Sequence, residues 1–496
     1  MLKPALDIAN GQMLFRDTFT QYGALTSLLH ALPIHFFGNY LYIIQLQTAL
    51  FYGLISICLW YLWGLFLPSR LATISVLIWL LIAPYFVWTM LPWSSVPALL
   101  FQLLSLIIIL RALQINSRWM IMFAGCLAVL VFWCRQSTGV FHCMSILILI
   151  ITYPILIKKI SKGIITDCIY YLMGIITMSV PFVLWLVFNG AFQDMYLQSI
   201  KAAFYFGIIK QNVNIGFNNE TNIIINLFII LLQVLKKLLP LHYDGSGTSP
   251  MWSILPLTCL FLCTKLLFNI YYNQDRKNIQ LPLYGLILVS LFSWLQYYPV
   301  NCIRHCYWAA TPMIGLIPFL ALGISNQQKQ QYKNFIICIT LVAIFGLDIS
   351  YRIYHGIRRI SNHSVKVEEP QVLRYMYATP YKARLYKRMS VSLNNALKSS
   401  PSPYLLTLSN DPLYLTFIGP QDNYHPMYID WGIFNQFIYP DFIQRRNLFI
   451  NKNKPIILGL DDTAIPDAIR VDIFNATGYN QNSKLALYMF SDKGIQ

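Results

Sequence analysis

Ten apolar runs, most of them close to twenty residues long, constrain this chain more than any other feature. A helix needs roughly 20 predominantly apolar residues to cross the hydrocarbon core of a bilayer. The runs lie at 40–66, 71–90, 97–113, 119–134, 138–157, 168–189, 251–272, 281–297, 307–324 and 334–350. Only 11% of the 496 residues are charged and 57% are hydrophobic, whereas soluble domains carry roughly 25% charged residues. The sequence therefore predicts a polytopic α-helical membrane protein of about ten spans.

Positive charge is concentrated in alternate loops between these runs. The formal net charge is +17 at pH 7, and an excess of Lys and Arg in the loops of one side sets the orientation of the spans. Every predicted inner loop carries a basic residue; these are Arg70, Arg111, Arg118, Lys158, Lys159, Lys162, Arg276, Lys277, Lys329 and Lys333. The charge therefore indicates topology. It forms no aromatic-interleaved patch of the kind that a nucleic-acid partner requires.

The apolar runs, together with a change of character near residue 351, divide the chain into three regions. Residues 1–39 are predicted to form an outer loop with interfacial helices. Residues 40–350 form the transmembrane domain, which includes a long outer loop at 190–250. Within that loop, 222–240 is apolar but ends in lysines, which predicts an interfacial or re-entrant helix. Residues 351–496 are predicted to be a soluble α/β domain on the extracytoplasmic side.

The C-terminal region has the patterns of one long helix and several short strands. The helix is predicted over 366–399, and strands are predicted over 404–408, 455–460 and 485–490. About 145 residues are enough to bury an ordinary core.

Acidic residues are scarce in the first 350 positions, and none is placed mid-span by this topology. They are Asp7, Asp17, Asp167, Asp194, Glu220, Asp244, Asp275 and Asp348. Ion-coupled transporters commonly keep an ionisable group at membrane depth, and many are built from repeated halves. The chain has no visible internal repeat, so both observations argue against transport.

Polar groups from distant parts of the chain are predicted to collect on the outer face. Asp17 is the candidate catalytic carboxylate, because a carboxylate can activate a hydroxyl nucleophile. Groups that could hold a departing lipid phosphate are Arg16, Arg135, Gln136, Lys201, Arg304 and His305. Aromatic side chains that could contact an acceptor are Tyr22, Tyr297 and Tyr298. Together these groups favour a reaction on a lipid-linked phosphate at the membrane boundary.

Each of these residues also has a structural interpretation. Arg16 and Arg135 could anchor helix ends at lipid headgroups, and Asp17 could cap a helix that starts at Thr18. His305 could be interfacial without a catalytic role. The two tyrosines at 297 and 298 could belong to the aromatic belt of the membrane.

Four short motifs carry a resemblance to a known family. They are the polar loop 11–23 ahead of a Leu-rich helix, Arg135-Gln136 followed by Gly139, the segment 189–192 that opens the long outer loop, and the stretch 298–308. In these motifs the sequence resembles the bacterial GT-C superfamily of membrane glycosyltransferases. The resemblance spans roughly residues 1–350. Protein mannosyltransferases and lipid A aminoarabinose transferases are related to this group.

The resemblance implies inverting transfer of a sugar from a polyprenyl-phosphate-linked donor. The acceptor would be a glycan, lipid or protein of the cell envelope. The enzyme would lie in the bacterial inner membrane with its C-terminal domain on the periplasmic side. No cofactor is implied with certainty, and a requirement for a divalent metal stays open.

The chain departs from the family pattern at its start. Members place an acidic pair in the first outer loop, after a first membrane helix; here no apolar run precedes the loop and the pair is absent. We therefore expect that the chain is an eleven-span enzyme that lacks its first membrane helix. The alternatives are that Asp17 is the catalytic acid or that activity is lost. Rival functions are an O-antigen polymerase or ligase, a lipid or solute transporter, and a non-enzymatic membrane scaffold.

Overall fold

The computed structural model describes most of the helical regions and part of the C-terminal region. The described residues are 2–83, 92–157, 163–202, 251–272, 280–295, 303–325, 330–400, 402, 404–407, 413, 416–417, 441–460, 465, 467–475 and 484–490. The chain divides into two compact units. One unit, here called the loop unit, contains Met1–Thr48, Val183–Phe206 and Arg358–Gln496; the other, here called the helical unit, contains Ala49–Phe182 and Gly207–Ile357.

Six of the described helices are long and apolar enough to cross a membrane. Their apolar stretches are Leu41–Gly64, Ser95–Ile115, Gln136–Leu156, Gly163–Phe188, Met251–Phe268 and Phe335–Asn362. A seventh is obtained if His305–Met313 and Leu316–Gly323, which are bent by 40°, form one broken span. The chain is therefore mostly helical, with the length and composition of a multi-pass membrane protein.

The described helices up to residue 362 are labelled α1 to α14 in chain order. They are α1 Leu2–Ala9, α2 Ala24–Phe37, α3 Leu41–Gly64, α4 Ser69–Leu81, α5 Ser95–Ile115, α6 Arg118–Cys134, α7 Gln136–Leu156, α8 Gly163–Phe188, α9 Phe192–Met195, α10 Met251–Tyr272, α11 Leu281–Leu295, α12 Ile303–Ala310, α13 Leu316–Ser325 and α14 Gln330–Asn362. A π-helical turn, Tyr196–Lys201, continues α9.

Each of the ten predicted apolar runs falls on a described helix, but the lengths differ. Three of these helices, α4, α6 and α11, are shorter than a full span within the described residues. The run 307–324 is interrupted by a 3-10 turn, Thr311–Met313, because Pro312 cannot donate a helical hydrogen bond.

The last predicted run, 334–350, is only the central part of α14. The helix continues to Asn362, so Asp348 lies in its interior and is only 9% exposed. The prediction that no carboxylate lies mid-span stays a prediction, and a buried acid in this helix weakens the argument against transport.

In the helical unit, close backbone approach fixes the packing of α6 on α8. A Cβ atom built at Gly125 would lie 2.2 Å from the carbonyl oxygen of Tyr171, and one at Gly174 would lie 1.9 Å from that of Met122. The two glycines are thus reciprocal. Small residues at helix contacts in membranes allow backbones to approach in this way.

The loop unit contains two short strands, β1 Val365–Lys366 and β2 Tyr377–Ala378, and a four-stranded sheet. The strands of the sheet are β3 Leu405–Thr407, β4 Ile456–Leu460, β5 Ala468–Phe474 and β6 Leu485–Phe490, and their order in it is β3-β4-β6-β5. β3 pairs with β4 in parallel, and the other two pairs are antiparallel. Helices α15 Pro380–Ser399 and α16 Phe442–Asn453 belong to the same unit. The predicted strands at 404–408, 455–460 and 485–490 are confirmed.

The helix predicted over 366–399 is wrong in its first part. Residues Val365–Lys366 (β1) and Tyr377–Ala378 (β2) pair as an antiparallel ladder, and α15 starts only at Pro380. The sequence explains why the helix starts there, since a proline at the first helical position and a threonine before it, Thr379, are typical of a helix start. The Thr379 Oγ1 accepts a hydrogen bond of 3.3 Å from the Lys382 N–H.

The core of the loop unit joins its N-terminal helices to the C-terminal region. Leu2, Ala5 and Leu6 of α1 are buried together with apolar residues of α15 and the sheet; among these are Met389, Leu393, Ile456, Leu458 and Leu487. The first residues of the chain therefore belong to the same core as the C-terminal sheet.

Some predictions lie outside the described residues. These are the helix at 222–240 and the residues Tyr297 and Tyr298.

Candidate functional site

The polar loop 10–23 of the loop unit is closed by Asp17. The Met13 N–H donates to Asp17 Oδ2 at 2.8 Å, and the Asp17 N–H donates to the Met13 carbonyl oxygen at 2.8 Å. The turn between them places Phe15 at a φ of 69°. The interpretation of Asp17 as a helix cap is wrong, because the next helix, α2, begins at Ala24 with Gly23 at its N-cap.

Arg16 and Asp17 form a two-point ion pair on the surface of this loop. Arg16 Nε and Nη2 each donate to the carboxylate at 2.8 Å, and the side chains are 50% and 34% exposed. The hydrogen bond to Asp17, with the attraction of its charge, raises the pKa of the Arg16 guanidinium above its usual value. Arg16 Nη1 also donates to the carbonyl oxygen of Asn189 at 3.2 Å. Two of the family-like motifs, 11–23 and 189–192, are thus joined.

A buried network lies behind this loop. Asp7 of α1 is 2% exposed and forms an ion pair with Lys3, which is 8% exposed. Its other oxygen, Oδ2, accepts a hydrogen bond of 2.7 Å from Thr18 Oγ1. The sequence prediction did not include these three residues. Lys3 and Asp7, spaced i and i+4, read as an ordinary exposed helix pair, and only their burial distinguishes them.

The loop is also held by Gln198 of the π-helical turn. Gln198 Nε2 donates to the Phe15 carbonyl oxygen at 2.7 Å, and Gln198 Oε1 accepts from the Thr20 N–H at 3.2 Å. Lys201 ends the same turn and is half-buried. Tyr22 is half-buried, and its N–H donates to Thr20 Oγ1 at 3.3 Å. Arg16, Asp17, Tyr22 and Lys201 therefore all lie in the loop unit.

A second polar group lies at the corner between α6 and α7 of the helical unit. Arg135 has extended backbone geometry, with φ −150° and ψ 109°, between the end of α6 and Gln136, which starts α7. Gly139 N–H donates to the Arg135 carbonyl oxygen at 2.9 Å. A Cβ atom at Gly139 would lie 2.2 Å from the Phe132 backbone, so this tight corner needs glycine there.

The corner brings Arg135 onto two groups from distant parts of the chain. Arg135 Nη1 donates to Ser95 Oγ, and Arg135 Nη2 lies 3.3 Å from His305 Nε2. Arg135 is only 7% exposed. The His305 ring also meets the Trp93 ring edge-on, with centroids 6.5 Å apart. Arg135 and His305 are therefore neighbours, whereas Ser95 and Trp93 were not predicted.

Below this corner, three contacting helices carry buried polar side chains. α7 contacts both α5 and α11, and His142, Gln102 and Ser290 lie on these three helices. Within the described part of the chain, neither ring nitrogen of His142 has a hydrogen-bond partner, and the same holds for Gln102 Oε1 and Ser290 Oγ. A single histidine inside an apolar run was the sequence signal for this feature, and the prediction overlooked it.

Among the described residues, the site contains no cluster of metal-binding side chains. In the part of the chain that is described, no three His, Cys, Asp or Glu side chains lie together as metal ligands. Of the predicted donors, Arg304 starts the same short helix as His305, and its side chain is outside the described atoms. Gln136 is half-buried at the start of α7.

Comparisons with known proteins add a likeness to solved structures. No protein-family model matches the chain, and no curated protein matches it. A solved structure of the archaeal oligosaccharyltransferase AglB from Archaeoglobus fulgidus, in complex with an inhibitory peptide and a dolichol-phosphate, is similar at 11% identity with a TM-score of 0.47. The similarity covers 92% of this chain and 64% of that chain, so this chain spans less than two thirds of that protein. A likeness at this TM-score carries no argument about activity.

Proposed function

We propose that the protein is a membrane glycosyltransferase. It moves a sugar from a polyprenyl-phosphate-linked donor to a hydroxyl of a cell-envelope acceptor, in the bacterial inner membrane with the C-terminal domain on the periplasmic side. The observation that carries the proposal is Arg135, a 7% exposed cation between two apolar helices. A charge in this setting needs an anionic or polar partner. Ser95 and His305 are two of its hydrogen-bonding neighbours, and a phosphate is an anion that such a guanidinium can bind.

A lipid phosphate fits this position by charge and by geometry. The guanidinium presents a planar fork of N–H donors that matches phosphate oxygens. Ser95 holds one nitrogen of that fork, and His305 lies beside another. The apolar helices α6 and α7 that meet at Arg135 supply a surface for the polyprenyl chain. Arg135 and His305 are thus assigned to the leaving phosphate, where they stabilise the charge that develops on the bridging oxygen.

The proposed base is Asp17, which is held in a defined orientation. One carboxylate oxygen accepts the Met13 N–H and both contact Arg16, while the side chain stays 34% exposed. In the step, the acceptor hydroxyl oxygen attacks the anomeric carbon and its proton passes to Asp17. The bond between the anomeric carbon and the phosphate oxygen breaks, and polyprenyl phosphate leaves.

The test is transfer from a radiolabelled polyprenyl-phosphate sugar by the full chain in proteoliposomes. Arg135→Ala should abolish labelled product, whereas Arg111→Ala, which changes an exposed arginine of α5, should leave the rate unchanged. Equal rates for the two variants would overturn the assignment of Arg135. Absence of product from the parent chain, with a panel of lipid-linked hexoses and pentoses, would overturn the proposed activity.

A transporter is the second candidate, and the interior of α14 favours it. Asp348 and Arg352 lie one helical turn apart and are 9% and 3% exposed. Ionisable residues buried within apolar helices often mark transport pathways. Solute flux or lipid translocation in proteoliposomes, without turnover of a sugar donor and lost in Asp348→Asn, would support this function instead.

A further inference from the structure

The loop unit contains a cavity of about 420 Å³ that the proposed reaction does not use. The described residues around it come from α1, the turn between α2 and α3, the segment between β1 and β2, and α15, together with Thr416 and Phe417. On α15 the lining positions are Ser390, Val391, Asn394 and Asn395, which fall on one face of the helix. The volume lies within the range of about 300 to 1,000 Å³ that small-molecule sites occupy.

Uncharged polar side chains are the most numerous group among the described lining residues. The hydrogen-bonding groups without charge are Asn39, Gln371, Ser390, Asn394, Asn395 and Thr416. Each amide offers donors and acceptors, and each hydroxyl offers both. Apolar contacts come from Leu6, Val372, Val391 and Phe417. This combination matches a ligand that carries many hydroxyl groups around an apolar ring surface.

The charge balance argues against an anionic ligand. Among the described lining residues Lys3 is the one cation, and its ammonium group already pairs with Asp7. Glu369 adds a second carboxylate to the lining. A phosphate would therefore meet two acids and a single cation whose charge is already neutralised.

A peptide is also a poorer match. Extended peptides commonly add to an exposed sheet edge through backbone hydrogen bonds. The lining residues that the structure describes include none from the edge strands β3 and β5. The recognition groups here are side-chain amides and hydroxyls.

We infer that this cavity binds a neutral saccharide. Resting on the proposed function, the saccharide is the acceptor glycan of the transfer. Asp7 connects the two features, because it lines the cavity and accepts a hydrogen bond from Thr18, the residue after Asp17. A saccharide in the cavity would thus contact Asp7, which supports the loop that carries the proposed base.

The experiment measures binding separately from transfer. The full chain in lipid nanodiscs is applied to an array of neutral oligosaccharides of two to four sugars built from glucose, galactose, mannose and N-acetylglucosamine, and hits are measured by calorimetry. A tripeptide amide and glucose 1-phosphate are the comparison ligands. We expect a neutral oligosaccharide to bind and the comparison ligands not to bind.

Two variants locate the site. Val391→Trp, at a 44% exposed position, fills the cavity and should weaken binding at least tenfold. Val471→Trp, at a 53% exposed position on β5, is the matched control and should bind as the parent does. Asn394→Leu should weaken binding without adding bulk, and unchanged melting temperatures would show that these variants are folded.

Three results would overturn the inference. They are that no neutral oligosaccharide binds, that binding survives both Val391→Trp and Asn394→Leu, or that only the tripeptide amide or glucose 1-phosphate binds. Saccharide binding without transfer would leave the cavity in place and remove its link to the proposed function. Transfer without saccharide binding would refute the cavity site and leave the glycosyltransferase proposal standing.

Discussion

The carboxylate of Asp7 accepts a hydrogen bond of 2.7 Å from Thr18 Oγ1, across eleven residues of sequence. This bond ties the rear of the polar loop to helix α1, while the front of the loop carries the exposed pair of Arg16 and Asp17. The loop is therefore supported from the interior of the loop unit.

Removing the Thr18 hydroxyl should loosen the loop. Thr18→Val keeps the shape but leaves Asp7 without one of its partners, at a cost of about 1–3 kcal/mol for a buried acceptor. We expect a lower melting temperature in detergent and slower sugar transfer. Thr264→Val is the control, because that exposed hydroxyl donates to the Leu260 carbonyl oxygen of its own helix and no bond to another described element is seen. A loss of stability equal to that of the control would contradict this role.

The Lys3–Asp7 pair should behave as a coupled unit. Lys3→Met or Asp7→Leu alone leaves a buried charge without its partner, which costs about 3–5 kcal/mol. The double variant removes both charges and should lose less than the sum of the single variants. Thermal unfolding of the four proteins gives this coupling directly. Strictly additive losses would mean that the two side chains do not interact.

The α6–α8 contact should tolerate no side chain at Gly174. Its Cβ would lie 1.9 Å from the Met122 carbonyl oxygen, whereas a Cβ at Gly53 of α3 would have no atom within 4 Å. Gly174→Ala should therefore lower the melting temperature, with an overpacking cost of about 1–3 kcal/mol or more. Gly53→Ala should leave it unchanged or raise it slightly. Similar behaviour of both variants would show that the helices do not approach so closely.

Arg135 should not be replaceable by lysine. Lysine keeps the charge but cannot present the planar fork that contacts Ser95 and lies beside His305. Arg135→Lys should lower kcat/KM for the lipid-linked donor by about 100-fold, the order expected for one lost transition-state donor. Arg111→Lys provides the matched exchange at an exposed position. A rate within twofold of the parent would contradict the assignment.

His142 should show opposite effects on stability and activity. Its ring is 1% exposed, and within the described residues neither nitrogen has a hydrogen-bond partner. Replacing such a group by an apolar one removes a desolvation cost of about 1–3 kcal/mol. His142→Leu should therefore raise the melting temperature, whereas His35→Leu, at an exposed position, should not.

The transfer assay on His142→Leu then separates two roles. A stabilised variant with reduced transfer would mean that the histidine serves the reaction. A destabilised variant would contradict the interpretation that the His142 ring nitrogens lack hydrogen-bond partners.

Hydrophobic pattern predicted the helices well, because each apolar run reports burial in lipid or in a core. It could not predict the contact of Arg135 with Ser95 and His305, which are 40 and 170 residues away, since periodicity carries no information about partners. β5 was missed although apolar and polar residues alternate in Ile469-Arg470-Val471-Asp472-Ile473. It is an edge strand with much exposed surface, so its pattern resembled a loop.

The burial of Asp7 was equally hidden, because one acid near one lysine looks the same in a solvated helix. The roles of Tyr297 and Tyr298, the side chain of Arg304 and the helix at 222–240 stay predictions.

Asp7 has a consequence for how this sequence can change over time. Its two oxygens accept in different directions, one from Lys3 and one from Thr18, whereas an asparagine would offer one acceptor and one donor. A substitution at any of these three positions removes a partner from at least one of the other two. Positions 3, 7 and 18 should therefore vary together or not at all among descendants of this chain. Their covariation would be evidence for this network from sequences alone.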